Sequence, residues 1–273
     1  MNIKELIKNG QLDETRRQLV EILKKSPADP GSRTLFFQTL CYCGEWEKAG
    51  RHLEAIAAQD PGRAAGVEVC RKLIQAEQER SRVAAGACNA SFPGEPPAWA
   101  ELSYALREAL KHKKIAAARE LLERLEAALP AVSGRVNGNP FSGFRETDTL
   151  LLPFLEVFAH ERYLWVPFTS LRELSIEPPA TWLDLLWIPA SLTTWQGLTM
   201  NCFLPVLYPD TCLEKDERLR LGRMTDWAAL GGPYTRGRGQ HVFEIGGEDV
   251  SILDIRQVEF NFSGTEISDE ENN

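Results

Sequence analysis

The sequence predicts an α+β protein, with a first half of paired helices followed by a mainly β second half. Three observations carry the prediction. A helical pattern recurs at a fixed spacing over residues 10–61. Near residue 135 the texture changes to short apolar and aromatic runs broken by proline and glycine. Five of the seven tryptophans fall after residue 160. The 273 residues suffice for two ordinary domains, and 43% hydrophobic with 26% charged residues is the make-up of a globular chain with a real core.

Residues 10–27, GQLDETRRQLVEILKKSP, overlie residues 44–61, GEWEKAGRHLEAIAAQDP, at an offset of 34. Gly10 matches Gly44, Leu12 Trp46, Thr15 Ala49, Leu19 Leu53, Ile22 Ile56 and Pro27 Pro61. That period is the one of tetratricopeptide-type helix hairpins. Glycine takes the left-handed turn between paired helices. A small residue at 15 and 49 lets them approach, and residues three apart share one helix face. Proline ends the second helix because it has no amide to donate. A third unit, offset by 69 from the second, aligns Ile115, Ala118, Leu122, Leu125 and Pro130, with Lys113 in the glycine's place. Residues 63–83 read as one further helix, and 84–98 as a loop that interrupts the array. Residues 1–132 are therefore expected to form a tetratricopeptide-like superhelix. Stacked hairpins leave a groove suited to a helix or an extended peptide, and Gln38, Tyr42, Arg107 and Lys111 are the positions expected to line it.

Residues 133–148, SGRVNGNPFSGFRETD, are dense in glycine, asparagine and serine and read as a linker or surface loop. The apolar stretch after it, TLLLPFLEVFAHE, reads as a helix with Asp148 as its N-cap. RYLWVPF, LTMNCFLPVLY, HVFEI, VSILDI and QVEFNF read as strands, with a hairpin turn at GGED. A β-rich domain is thus expected over 149–264, and an acidic disordered tail over 265–273. Most of the tryptophans are expected in the core.

Composition excludes several functions. A net charge of −8 opposes a nucleic-acid partner, since binding phosphates needs a clustered positive surface. The first residues, MNIKELIKNGQLDE, are charged from position 4 and do not read as a secretory signal. No apolar run reaches membrane-spanning length, so a cytoplasmic protein is expected. Six cysteines include no C-x-x-C pair and the four histidines are scattered, so neither a metal site nor a cofactor is predicted.

The densest polar motif is RLGRMTDW, residues 220–227. As a structural corner, Gly222 permits the bend and Thr225 and Asp226 bond nearby amides. Arg223 pairs with Asp226 or Asp184, and Trp227 plugs into the core. As an enzyme site, Asp226 is a base, Arg223 an anion clamp and His241 their partner. The corner explains more of these residues, and GRGQHV lacks the third glycine of a phosphate-binding loop.

Five motifs in this order, YLWVPF (163–168), LDLLWIPA (183–190), FLPVLYP (203–209), RLGRMTDW (220–227) and GRGQHVF (237–243), resemble the ImpE/SciE family, also called TagJ, of type VI secretion accessory proteins. The resemblance implies a non-enzymatic adaptor with no catalytic residues. Its implied partner is the N-terminal amphipathic helix of the small subunit of the contractile sheath, with a link to the ClpV-type ATPase that disassembles the sheath.

Overall fold

The computed structural model describes residues 2–262. Its first half is helical: α1 (Ile3–Lys8), α2 (Leu12–Lys25), α3 (Pro30–Tyr42), α4 (Trp46–Gln59), α5 (Ala64–Ala84), α6 (Ala100–Lys111) and α7 (Ile115–Ala128). Three hairpins, α1–α2, α3–α4 and α6–α7, follow the predicted repeat. Their turns pass through Gly10, Gly44 and Lys113 at φ of 76°, 66° and 54°, so the lysine adopts the left-handed backbone that glycine adopts in the other two. Thr15, Ala49 and Ala118 are fully buried where the paired helices meet. Pro27, Pro61 and Pro130 each fall two residues beyond a helix end. At the start of α3, Asp29 accepts from the Ser32 amide and Pro30 occupies the first turn. The 21-residue α5 packs against α4 and against the sheet strands Phe154–Ala159 and Arg162–Pro167.

The second half holds β1 (Ser133–Val136), β2 (Asn139–Ser142), β3 (Phe144–Glu146), β4 (Phe154–Ala159), β5 (Arg162–Pro167), β6 (Leu171–Ile176), β7 (Trp187–Thr194), β8 (Thr199–Pro205), the short α8 (Glu217–Arg220), β9 (Thr225–Gly231), β10 (Tyr234–Gly239), β11 (Val242–Ile245), β12 (Glu248–Ser251) and β13 (Gln257–Phe260). An eight-stranded antiparallel sheet runs in the order β2-β1-β13-β6-β7-β8-β4-β5. Beside it stand a three-stranded sheet, β12-β11-β3, and the hairpin β9–β10. The fold is α+β. One core cluster joins Leu19, Leu40 and Leu53 of the helices to Trp165, Trp187 and Val258 of the sheet, while a second gathers α6 and α7 around Tyr234.

Three sequence expectations change. Residues 133–148 are not a linker but three strands, and Asn137–Gly138 is the two-residue turn joining β1 to β2, with φ of 48° and 83°. The stretch read as a helix after Asp148 is a turn followed by β4. All six β4 residues are buried, so no polar alternation marked it as a strand. VSILDI is a strand only to Ser251, then a 3-10 turn over 252–254. The acidic tail expected over 265–273 lies outside the described residues.

Candidate functional site

The groove positions give a mixed result. Tyr42 is buried, stacks on Trp182 at 4.8 Å and donates its hydroxyl to the Trp182 carbonyl, so it is packed against the second half and lines no open trough. Arg107 lies over the Trp165 ring at 4.8 Å and donates to the Val83 carbonyl. Lys111 is exposed, with its ammonium 3.4 Å from the Ala85 carbonyl, and Gln38 stays half-buried on α3. Trp46 beside Trp187 and Tyr104 stacked on Trp165 extend the same contact. At Tyr42 and Arg107, the helices pack against the second half.

The RLGRMTDW segment also departs from expectation. Arg223 is exposed and donates to the carbonyls of Ile7 and Lys8, closing the end of α1, and pairs with neither Asp226 nor Asp184. Asp184 instead accepts from the Ala180 and Thr181 amides. Buried Arg220 reaches Asp13 at 2.8 Å, so the segment's two arginines fasten the first helix hairpin. Gly222 does sit at a left-handed bend, φ 63°, and Thr225 donates to the Gln240 carbonyl. Trp227 does not plug the core: it is 37% exposed on β9, its indole donating to Thr147 Oγ1. Asp226 is exposed across from Arg238. Because His241 is buried elsewhere, Arg223, Asp226 and His241 do not converge into the alternative enzyme site.

His241 belongs to a sealed ionic cluster at the junction of the halves. Arg80 of α5 makes a two-pronged contact with Glu156 of β4, Nε–Oε1 2.9 Å and Nη2–Oε2 2.6 Å, and donates to the Leu207 carbonyl. His241 Nε2 lies 3.0 Å from Glu156 Oε2, and its Nδ1 2.8 Å from Glu146 Oε2. Tyr208 donates to Glu146 and Tyr163 to Glu156, while Trp165 donates to the Tyr163 hydroxyl. One turn back on α5, Glu77 accepts from the Trp187 indole. Arg80, Glu77, Glu146, Glu156 and His241 are all buried. Such charges survive burial only when paired and hydrogen-bonded.

The electrostatics follow from that geometry. Burial alone disfavours an imidazolium, but the carboxylates of Glu146 and Glu156 outweigh it and raise His241 from 6.5 to about 9. Burial would likewise raise Glu156, yet the Arg80 guanidinium holds it well below the usual carboxylate range. Glu77 is raised, chiefly by burial. Nearby Asp148, accepting from the Leu150 and Gly237 amides, is pushed by burial from 3.8 to about 7.

The sign is the same for His241 and Asp148, since both folded values exceed the unfolded ones. Each contributes stability that is full below its unfolded value and lost as pH rises through its folded value. The urea midpoint is therefore expected to fall from pH 6.5 to pH 9. His241→Gln should flatten that decline, and Asp148→Asn should flatten a separate fall between pH 3.8 and about 7. An unchanged wild-type midpoint from pH 6.5 to pH 9 would refute the protonated His241.

Sequence reasoning named His241 and Asp148 for other roles and missed Glu77, Arg80, Glu146 and Glu156. A signal existed for one of them: Glu156 is the lone charge in the apolar run LLLPFLEVFA, and a carboxylate there requires a buried partner. The cluster adjoins a small void of about 30 Å³, bounded by Glu77, Arg80 and Tyr208, which has room for a water. Its chemistry is that of a lock between helix and sheet. Among the described residues no group of three His, Cys, Asp or Glu side chains is placed to hold a metal, and burial pushes the Cys202 thiol up to about 12. No helix among the described residues is long and apolar enough to cross a membrane.

Comparison with known proteins agrees with this architecture. A family model described as ImpE protein matches residues 138–259. The type VI secretion system accessory component TagJ of Pseudomonas aeruginosa is 34% identical over 262 residues, covering 95% of this chain and 91% of that protein. The crystal structure of protein VPA1032 from Vibrio parahaemolyticus superimposes with a TM-score of 0.87 at 25% identity, covering 96% of this chain and 98% of the other.

Proposed function

The chain belongs to the ImpE family, and from that premise we propose that it is a cytoplasmic, non-enzymatic adaptor of the type VI secretion system. In this reading it binds the N-terminal amphipathic helix of the sheath small subunit and thereby influences how the ClpV-type ATPase handles the sheath. One observation supports an adaptor over a catalyst. The ionisable residues that could do chemistry are spent on each other in a sealed junction, and the adjoining void of about 30 Å³ has room for a water. What that junction yields is a rigid two-part body, and a rigid surface suits helix recognition because little ordering entropy is lost on binding.

Isothermal titration of the full chain with a peptide of the sheath small subunit's N-terminal helix tests the proposal. Saturable one-to-one binding at micromolar concentration is expected, with a negative heat-capacity change from apolar burial. A featureless titration at millimolar peptide would rule the adaptor reading out.

A further inference from the structure

Tyr42 and Arg107, two of the four positions expected to line a groove, pack against the second half, which leaves other faces as candidates for docking. Among the described residues, an apolar cavity of about 300 Å³ opens between the end of α7 and β3. Phe144 and Phe168, with ring centroids 4.8 Å apart, form its floor, and Leu129, Val132 and Leu152 line its sides. This volume is at the small end of ligand pockets and suits one large or two smaller apolar side chains. Across the 168–170 turn lies a wider cleft of about 640 Å³, edged by Phe92, Pro97 and Leu198, and Thr169 lines both. Leu198 is 39% exposed there.

The charges bordering the two depressions are one-sided. Arg145, the only cation among the residues lining them, is paired with Glu244 at 2.7 Å. Glu126 beside the first cavity and Glu95 beside the second are exposed and have no ion-pair partner among the described residues. An apolar floor with unpaired carboxylates on its rim complements a segment that has apolar anchors on one face and cations beside them.

We propose that this paired depression is the docking site for a basic amphipathic helix, which seats a large apolar side chain on Phe144 and Phe168 and sets lysine or arginine side chains against Glu126 and Glu95. The proposal rests on the adaptor reading and adds the place and the charge of what is bound.

Two variants test it: Thr169→Trp, which fills the passage between the depressions, and the surface pair Glu126→Lys with Glu95→Lys. Fluorescence anisotropy would measure their binding of the sheath-helix peptide. It would also measure two designed amphipathic helices with one apolar stripe in common, flanked in one by lysines and in the other by glutamates. Both variants are expected to weaken the sheath-helix peptide about tenfold or more while keeping the wild-type circular dichroism spectrum. The lysine-flanked helix should bind wild type more tightly than its glutamate twin, the gap closing as salt rises. If Thr169→Trp fails to fold, the charge-reversed variant carries the test, since its positions are exposed.

Wild-type affinity for the sheath-helix peptide in the folded variants would overturn the location and leave the adaptor reading standing. If that peptide does not bind wild type, the adaptor reading falls, and the designed pair decides the site by itself. Equal binding of the pair, or preference for the glutamate twin, would overturn it.

Discussion

Arg80→Ala is expected to cost about 3–5 kcal/mol of folding stability. The guanidinium offsets the buried Glu156 carboxylate, satisfies the Leu207 carbonyl and lies 3.6 Å from Glu77. Truncation leaves Glu156 with only His241 and the Tyr163 hydroxyl, and Glu77 with only the Trp187 indole. Against a typical total of about 5–15 kcal/mol, such a loss removes a large share of the folded state's margin. Because the residue joins α5 to β4, the helical and sheet halves should lose stability together. Urea denaturation followed by far-ultraviolet circular dichroism and by tryptophan fluorescence would show one earlier transition in both signals. The paired replacement Arg80→Met with Glu156→Leu is expected to recover much of the loss, since removing both charges leaves neither buried and unpaired. A loss below about 1 kcal/mol for Arg80→Ala would mean that water reaches Glu156 and that the lock is weaker than its geometry implies.

The helical half was legible because its signals are local. The 34-residue recurrence and the third unit 69 residues on mark the turn glycines, the small contacts at Thr15, Ala49 and Ala118, and the proline stops, and each has its predicted place. The β half was legible where strands alternate or end in recognisable turns, as at Gly246–Gly247 between β11 and β12. It was illegible where burial is complete: β4 shows no period of two because both of its faces are covered. Asn137–Gly138 was a missed signal of a different kind, a hairpin turn hidden in a segment whose composition read as loop.

The site was the least legible part. Arg80 and Glu156 are 76 positions apart, and Arg80 and His241 161 apart, so no local pattern could pair them. The surface arginine Arg223 sat in the more conspicuous motif and holds only a helix end. A motif crowded with polar residues drew attention, whereas the single carboxylate in an apolar run was the better guide to burial chemistry.

Gly239→Ala, in the GRGQHVF motif, is expected to cost about 2–5 kcal/mol, the sum of backbone strain and overpacking. Gly239 sits at φ 85°, where an L side chain is strained, and a methyl group there would drive into the Met224 carbonyl oxygen and reach 3.0 Å from Leu219 Cδ2. The position also holds both edges of the corner: its amide donates to Thr211 Oγ1 and its carbonyl accepts from the Tyr208 amide. His241 follows two residues later, so any shift that relieves the clash pulls on the contacts to Glu146 and Glu156. Gly138→Ala separates the contributions, because Gly138 has nearly the same φ, 83°, but open space around it. It should lose only the strain, about 1–2 kcal/mol. A larger drop in melting temperature for Gly239→Ala, with a weakened pH dependence between 6.5 and 9, would tie the corner to the ionic lock. Equal drops in the two variants would show that the backbone at Met224 yields freely, and that His241 is held from the helix side alone.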